Sequence, residues 1–230
     1  MGLFDIIGPV MVGPSSSHTA GAVRIGLMAR RLLQEKPVYG EIGLHGSFAD
    51  TGKGHGTDKA LVAGILGMQP EDERIPDSYE MAKHQNFQFV MRHVYIKNAH
   101  PNTALIYLQS VSCKEILVQA ASVGGGMIRV EQLDGIPVSF CGQCPTLVVY
   151  NVDKPGLVAR IASVLAEKEV NIGTMQVHRE RRGISAVTVV ETDQLLHSEV
   201  IEQLKRLEGV TKVTYFEGMY GGCENGTVTE

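Results

Sequence analysis

The sequence has little of what marks several common protein classes. It contains no tryptophan and only four cysteines among 230 residues, and no apolar run approaches the roughly 20 residues that a membrane-spanning helix needs. The net charge is −4, without a basic stripe, which disfavours nucleic acid as a partner because such binding needs a dense lysine and arginine face. The start, MGLFDIIGPV, lacks the basic region and cleavage site of a secretory signal. We therefore expect a cytoplasmic protein with neither a membrane nor a nucleic-acid partner.

The few cysteines also disfavour a metal centre within this chain. Cys141 and Cys144 form a single CxxC pair, whereas a zinc site usually needs a second pair, which Cys113 and Cys223 do not supply. An iron–sulfur cluster would need more ligands at closer spacing. A redox CxxC opens a helix, but this one ends a strand and precedes Pro145. We expect no metal ligand here, and a thiol oxidoreductase is a less favoured alternative.

What is present is the composition of a globular protein with room for two domains. Hydrophobic residues make up 43% and charged residues 20% of the chain. Residues 1–145 predict a mixed α/β domain and 146–218 a second, smaller one, followed by a tail at 219–230. In the first domain the patterns predict a helix after the serine-rich segment described next, a helix over 57–66, and strands over 39–48, 87–96, 103–109, 115–122 and 127–132.

The first candidate site is a hydroxyl-rich segment at the start of a helix. The residues Gly13-Pro14-Ser15-Ser16-Ser17-His18-Thr19 run into a pattern in which apolar residues such as Ile25 and Leu32 recur at helical spacing, until Pro37 ends the helix. One serine is enough to cap a helix. The remaining hydroxyls, the free N–H groups and the positive end of the helix dipole suit a small carboxylate or phosphate. We predict an anion-binding site formed by Ser15, Ser16, Ser17, His18 and Thr19.

A second candidate site is the segment Lys53-Gly54-His55-Gly56-Thr57. Glycines on both sides of His55 allow a ligand to approach the backbone and leave the imidazole uncovered. Histidine takes up and returns protons readily near neutral pH, so His55 is a candidate general base. Lys53 is suited to pair with a carboxylate. A third segment, His100-Pro101-Asn102-Thr103, offers Asn102 as a further binding residue.

Together the three segments suit a small zwitterion, with its carboxylate on the serine-rich segment and His55 over the reacting carbon. The sequence contains no pyridoxal-type lysine motif, no Walker-type phosphate loop and no metal cage. If the protein is a catalyst, another component must supply the Lewis acid or the electron sink.

The C-terminal domain follows a βαββαβ order, which is ferredoxin-like. The predicted strands lie at 146–150, 171–177, 184–192 and 210–216, and the predicted helices at 157–168 and 198–207. The segments Val152-Asp153-Lys154-Pro155-Gly156-Leu157 and Val170-Asn171-Ile172 strongly resemble the ACT domain, a small amino-acid-sensing module. The resemblance implies an effector site around Gly156, Asn171 and Ile172, commonly across the interface of a homo-oligomer. A purely structural or pairing role is the open alternative.

The three polar segments and the ACT-like module occur together, in this order, in one enzyme family. On these motifs nearly the whole chain, except 218–230, resembles the beta subunit of the iron–sulfur-dependent L-serine dehydratases of the bacterial two-chain type. The resemblance implies a separate alpha chain that carries a [4Fe-4S] cluster on its own cysteines. It also implies that the first domain here packs on that alpha chain and helps to bind L-serine.

The same resemblance implies roles for individual residues. His55 would remove the α-proton of L-serine, the segment Ser15 to Thr19 would orient the carboxylate, and Lys53 and Asn102 would assist. Iron-assisted loss of hydroxide would then lead to pyruvate and ammonia. The alternative function is that of a non-catalytic serine sensor, because a similar pair of domains forms the regulatory tail of some phosphoglycerate dehydrogenases. The His55 segment separates the two functions, since a sensor needs hydrogen-bond donors rather than an uncovered base.

Overall fold

The computed structural model describes residues 11–219, and the chain divides into two compact units between Gly135 and Ile136. The boundary that the sequence predicts at residue 145 lies after this division. The predicted tail, 219–230, falls outside the described residues except for Met219. Within the described residues, no helix has both the length and the apolar character that a membrane crossing requires.

The first unit is built on a mixed sheet with helices. Its strands are β1 Pro37–Leu44, β2 Gln88–His93, β3 Thr103–Ser110, β4 Glu115–Gly124 and β5 Met127–Leu133. They lie in the order β2-β1-β3-β4-β5, with β1 parallel to β2 and the other pairs antiparallel. Its helices are α1 Gly21–Leu33, α2 Ser47–Asp50, α3 Gly52–His55, α4 Thr57–Leu66 and α5 Ser78–His84. A π-helical turn, Ser16–Ala20, leads directly into α1, and a 3-10 turn, Ile75–Asp77, leads into α5.

Helices α1 and α4 cross at two glycines. A Cβ atom at Gly26 would overlap the carbonyl oxygen of Leu61, and a Cβ atom at Gly64 would overlap that of Val23. The two backbones therefore touch, which only glycine permits. Because the serine-rich turn precedes α1 and His55 precedes α4, this crossing fixes the spacing of the two candidate site segments.

The second unit has the predicted ferredoxin-like order. After β6 Ile136–Phe140 it contains β7 Thr146–Val152, α6 Leu157–Glu167, β8 Ile172–Arg181, β9 Ser185–Thr192, α7 Ser198–Lys205 and β10 Val210–Phe216. Strands β7 to β10 form an antiparallel sheet in the order β10-β7-β9-β8. The apolar faces of α6 and α7 pack on this sheet around Leu147, Val149, Ile161, Leu165 and Leu204.

The structure differs from the sequence expectation at the end of β1. The predicted strand 39–48 stops at Leu44, and the chain turns at Gly46, whose φ is +55°. A Cβ atom at Gly46 would lie 2.7 Å from the carbonyl oxygen of Pro101. The short helices α2 and α3 follow, where the sequence predicted a strand end and an open loop. Helix α5 was not predicted either, whereas β6 is the strand that the sequence places directly before the CxxC pair.

Candidate functional site

In the serine-rich segment, one serine caps the following turn, and two others make no hydrogen bond with the described residues. Ser15 accepts a hydrogen bond from the His18 backbone N–H through Oγ (3.1 Å), and its carbonyl accepts one from the Thr19 N–H (2.9 Å). Ser15 is thus the cap of the π-helical turn. The hydroxyls of Ser16 and Ser17 are partly buried and make no hydrogen bond with another described residue. These two side chains are the ones that remain for a ligand.

His18 is partly buried and lies within hydrogen-bond distance of two hydroxyls. Its Nε2 lies 3.0 Å from Ser47 Oγ and 3.2 Å from Thr51 Oγ1, both on or next to α2. Its ring packs edge-on against Phe48 and lies 5.2 Å from the ring of His55. Burial and the charge of His55 lower the pKa of His18, and a hydrogen bond to the Ser47 backbone only partly opposes them. His18 is therefore neutral at neutral pH.

His55 ends α3 and is exposed. A Cβ atom at Gly54 or Gly56 would meet no atom within 4 Å, and Gly56 has a φ of +66°, so the flanking backbone is open as predicted. The carbonyl of His55 accepts a hydrogen bond from Thr19 Oγ1 (3.3 Å) and so joins the second segment to the first. The side chain of Lys53 falls outside the described part of the structure.

A cavity of about 250 Å³ lies where these two segments meet. Its walls include Thr19, His55 and Lys59, together with Gly13 from the serine-rich segment and Pro76 from the 3-10 turn. Lys59 stands in the first turn of α4 and was not predicted from the sequence. It adds a cationic residue to the lining of a cavity that already has an imidazole.

The third segment packs against the turn that carries Ser47. The Phe48 N–H donates to the carbonyl of Pro101 (3.5 Å), and the Asn102 N–H donates to His100 Nδ1 (3.1 Å). The Asn102 side chain is partly buried. Pro101 thereby connects the third segment to the surroundings of His18, so all three predicted segments lie in one region of the first unit.

Sequence reasoning missed Ser47 and Thr51 because it continued the strand through Phe48. Their spacing of four places two hydroxyls on one side of a helical turn. The glycine at position 46, directly before them, was the available signal for such a turn.

The three predicted effector residues of the second unit differ from one another in their surroundings. Gly156 is the N-cap of α6, with a φ of +85° and open space around it. The Asn171 side-chain amide donates to Asp193 Oδ2 (2.5 Å), while Ile172 packs against the hydrophobic core of the unit. The Gly156 backbone is thus open, whereas Asn171 and Ile172 already have partners within the chain.

The cysteines of the CxxC pair are in different states. Cys141 is a free thiol whose pKa is raised mainly by burial, and Cys144 is disulfide-bonded. The two are therefore not joined to each other. Within residues 11–219, His, Cys, Asp and Glu side chains form no group of three or more that would hold a metal ion.

Comparisons with known proteins match both units. A family model described as serine dehydratase beta chain matches residues 2–133, and an ACT domain model matches residues 146–209. The chain is 40% identical over 212 residues to the probable L-serine dehydratase, beta chain, of Bacillus subtilis (strain 168), covering 92% of this chain and 96% of that one. It is 35% identical over 215 residues to the L-serine dehydratase, beta chain, of Peptoniphilus asaccharolyticus, covering 93% and 97%. A D-3-phosphoglycerate dehydrogenase of Methanocaldococcus jannaschii is 30% identical over 96 residues, which are 40% of this chain and 18% of that protein.

Proposed function

The chain belongs to the serine dehydratase beta chain family, and we propose that it is the beta chain of an L-serine dehydratase, a lyase that converts L-serine to pyruvate and ammonia. The name of the family's chain implies an alpha chain as its partner. The observation that carries the proposal is the convergence of the serine-rich segment, His55 and the His100–Thr103 turn in one region of the first unit.

His55 is the general base of the proposed reaction. Its imidazole is exposed between two open glycines and borders the 250 Å³ cavity, so a substrate carbon can approach it. A ring nitrogen of His55 takes the proton from the α-carbon of L-serine. Loss of the β-hydroxyl then gives aminoacrylate, which tautomerises and hydrolyses to pyruvate and ammonia.

The serine-rich segment binds the substrate carboxylate. The hydroxyls of Ser16 and Ser17 are the unengaged members of the segment, and they stand at the N-terminal end of the continuous turn and helix Ser16–Leu33. The positive end of that dipole favours an anion. Lys53 and Asn102 assist binding, whereas Ser15 and Thr19 act through the backbone contacts that shape the segment.

The described residues do not fit a resident iron–sulfur cluster, because no three of their His, Cys, Asp or Glu side chains lie together as metal ligands. We place the [4Fe-4S] cluster on the alpha chain, where its open iron would act as a Lewis acid on the substrate hydroxyl. The tasks of this chain are to hold the zwitterion and to move the α-proton.

The second unit is the regulatory part of the proposal. We assign it an effector site at the open backbone of Gly156, with Asn171 and Ile172 beside it, and a role in forming homo-oligomers. We place the complex in the cytoplasm. The alternative, a serine sensor, is favoured less because the phosphoglycerate dehydrogenase similarity covers 40% of this chain, whereas the beta-chain similarities cover 92% and 93%.

Anaerobic reconstitution tests the proposal. The purified chain and its cluster-bearing alpha chain are assayed for pyruvate and ammonia from L-serine, separately and mixed. We expect turnover only in the mixture. Turnover by the single chain, with iron bound in stoichiometric amount, would contradict the two-chain function. Serine binding by the single chain with an inert mixture would favour the sensor.

A further inference from the structure

The hydroxyls of Ser47 and Thr51 form a small network around one nitrogen of His18. Ser47 Oγ is 3.0 Å and Thr51 Oγ1 is 3.2 Å from His18 Nε2, and the two hydroxyl oxygens are 3.4 Å apart. Thr51 Oγ1 is also 2.9 Å from the carbonyl oxygen of Ser47. Both residues belong to the α2 turn, which the sequence alone did not reveal.

The hydrogens of this network can be counted. A carbonyl oxygen only accepts, so the single hydrogen of the Thr51 hydroxyl is donated to Ser47. This is the usual i to i−4 bond of a threonine on a helical turn. Thr51 Oγ1 therefore meets His18 Nε2 as an acceptor, and Nε2 must carry a hydrogen. The Ser47 hydroxyl satisfies the same arrangement by accepting from Nε2 and donating to Thr51.

The charge of the His18 ring then decides whether the other ring nitrogen, Nδ1, carries a hydrogen. Burial and the charge of His55 lower the pKa of His18, so the ring carries one hydrogen rather than two at neutral pH. With that hydrogen on Nε2, Nδ1 has only a lone pair. Apart from the contact with the Ser47 backbone, the hydrogen bonds of the His18 ring in the described part of the chain are made by Nε2.

We propose that Ser47 and Thr51 are positioning residues that fix His18 as its Nε2–H tautomer and so present Nδ1 as a hydrogen-bond acceptor. The catalytic consequence rests on the proposed function. An acceptor pairs with the ammonium group of a zwitterionic substrate and not with its carboxylate. Within the serine-rich segment, His18 thus recognises the amino group while Ser16 and Ser17 recognise the carboxylate.

Nitrogen NMR of the isolated chain tests the tautomer directly, without the alpha chain. The ring signals of His18 are identified by their loss in His18→Gln. We expect the Nε2–H pattern in the natural chain and a mixture with the Nδ1–H form in the double variant Ser47→Ala/Thr51→Val. Thr51→Ser should retain the natural pattern. Thr211→Val is the matched control, since Thr211 also donates to a backbone carbonyl (3.1 Å) but lies in the second unit. An unchanged tautomer in the double variant would overturn the proposal.

Kinetics of the reconstituted complex tests the substrate contact. Because the lost contact is one hydrogen bond made in binding, the double variant Ser47→Ala/Thr51→Val should raise KM roughly threefold to tenfold and leave kcat nearly unchanged. Thr51→Ser should keep the natural KM. A fall in kcat without a change in KM would contradict the assignment of His18 to the ammonium group. A natural complex without turnover would refute the proposed function and leave the tautomer result standing.

Discussion

Two histidines with rings 5.2 Å apart lie in different surroundings and are suited to different tasks. His18 is partly buried, packed on Phe48 and tied to two hydroxyls, whereas His55 is exposed between open glycines. A general base must take up a proton and release it, which an uncovered ring does more readily than a ring already engaged in hydrogen bonds. The difference in environment therefore favours His55 over His18 as the proposed general base.

Replacement of His55 by Gln tests that assignment. Loss of a general base typically costs about 10²–10⁴-fold, so kcat of the reconstituted complex should fall by that order. Assembly with the alpha chain should be unaffected because the side chain is exposed. His84→Gln is the matched control, since His84 is an exposed histidine at the end of α5. Near-normal kcat in His55→Gln would make His100 or His18 the next candidate.

The lowered pKa of His18 gives the first unit a pH-dependent stability. In the unfolded chain His18 gains a proton as the pH falls through about 6.5, whereas the folded chain resists it until a lower pH. The unfolded state therefore binds more protons in that window, and stability falls as the pH falls below about 6.5. Thermal unfolding at a series of pH values should show a shallower decline in His18→Gln than in His84→Gln. Equal slopes in the two variants would show that His18 does not contribute.

How much of the site was readable from the sequence depended on the kind of signal. Glycines around His55 and consecutive serines before a helix are local features, and the structure shows an open His55 and a Ser15 cap. For Ser47 and Thr51 the local signal was Gly46 alone, and their role depends on a turn that packs against the distant Pro101 carbonyl. The predicted binding roles of Ser16, Ser17, Lys53 and Asn102 stay predictions.

At the scale of elements, periodicity predicted the long helices and most strands but not the short pieces. Helix α1 has apolar residues at regular spacing, α4 is a continuous apolar run, and β3 alternates buried and partly buried residues. Helices α2 and α3 have four residues each, too few to show a period. Their conformation follows from the turn at Gly46 and the tertiary contacts around it.

The crossing of α1 and α4 is the element-scale feature on which the site depends. A methyl group at Gly64 would overlap the Val23 carbonyl and force the helices apart. Overpacking of this kind costs about 1–3 kcal/mol, so Gly64→Ala should lower the midpoint of chemical unfolding and also weaken activity. Gly54→Ala is the control for stability, because its Cβ atom would meet nothing within 4 Å. Equal midpoints in the two variants would show that the crossing tolerates the methyl group.

At the scale of the whole molecule, the three site segments belong to the first unit and the ACT-like module belongs to the second. Ser16, His55 and Asn102 all precede Gly135, where the first unit ends. Strand β6 belongs to the second unit and packs against β8 and β9. Its alternate residues Ile136, Val138 and Phe140 are buried. A boundary at 145 would separate β6 from β8 and β9.

Two truncated chains, 1–135 and 1–145, distinguish these boundaries. In 1–145 the apolar residues of β6 lose their contacts with β8 and β9 and become exposed. Exposed apolar patches promote association. Light scattering should therefore show stronger association in the 1–145 fragment than in the 1–135 fragment. With the alpha chain, 1–135 should retain part of the turnover, because it contains Ser16, His55 and Asn102, but lose any response to amino-acid effectors. A well-folded 1–135 fragment that docks on the alpha chain yet has no activity would mean that the second unit builds the active site.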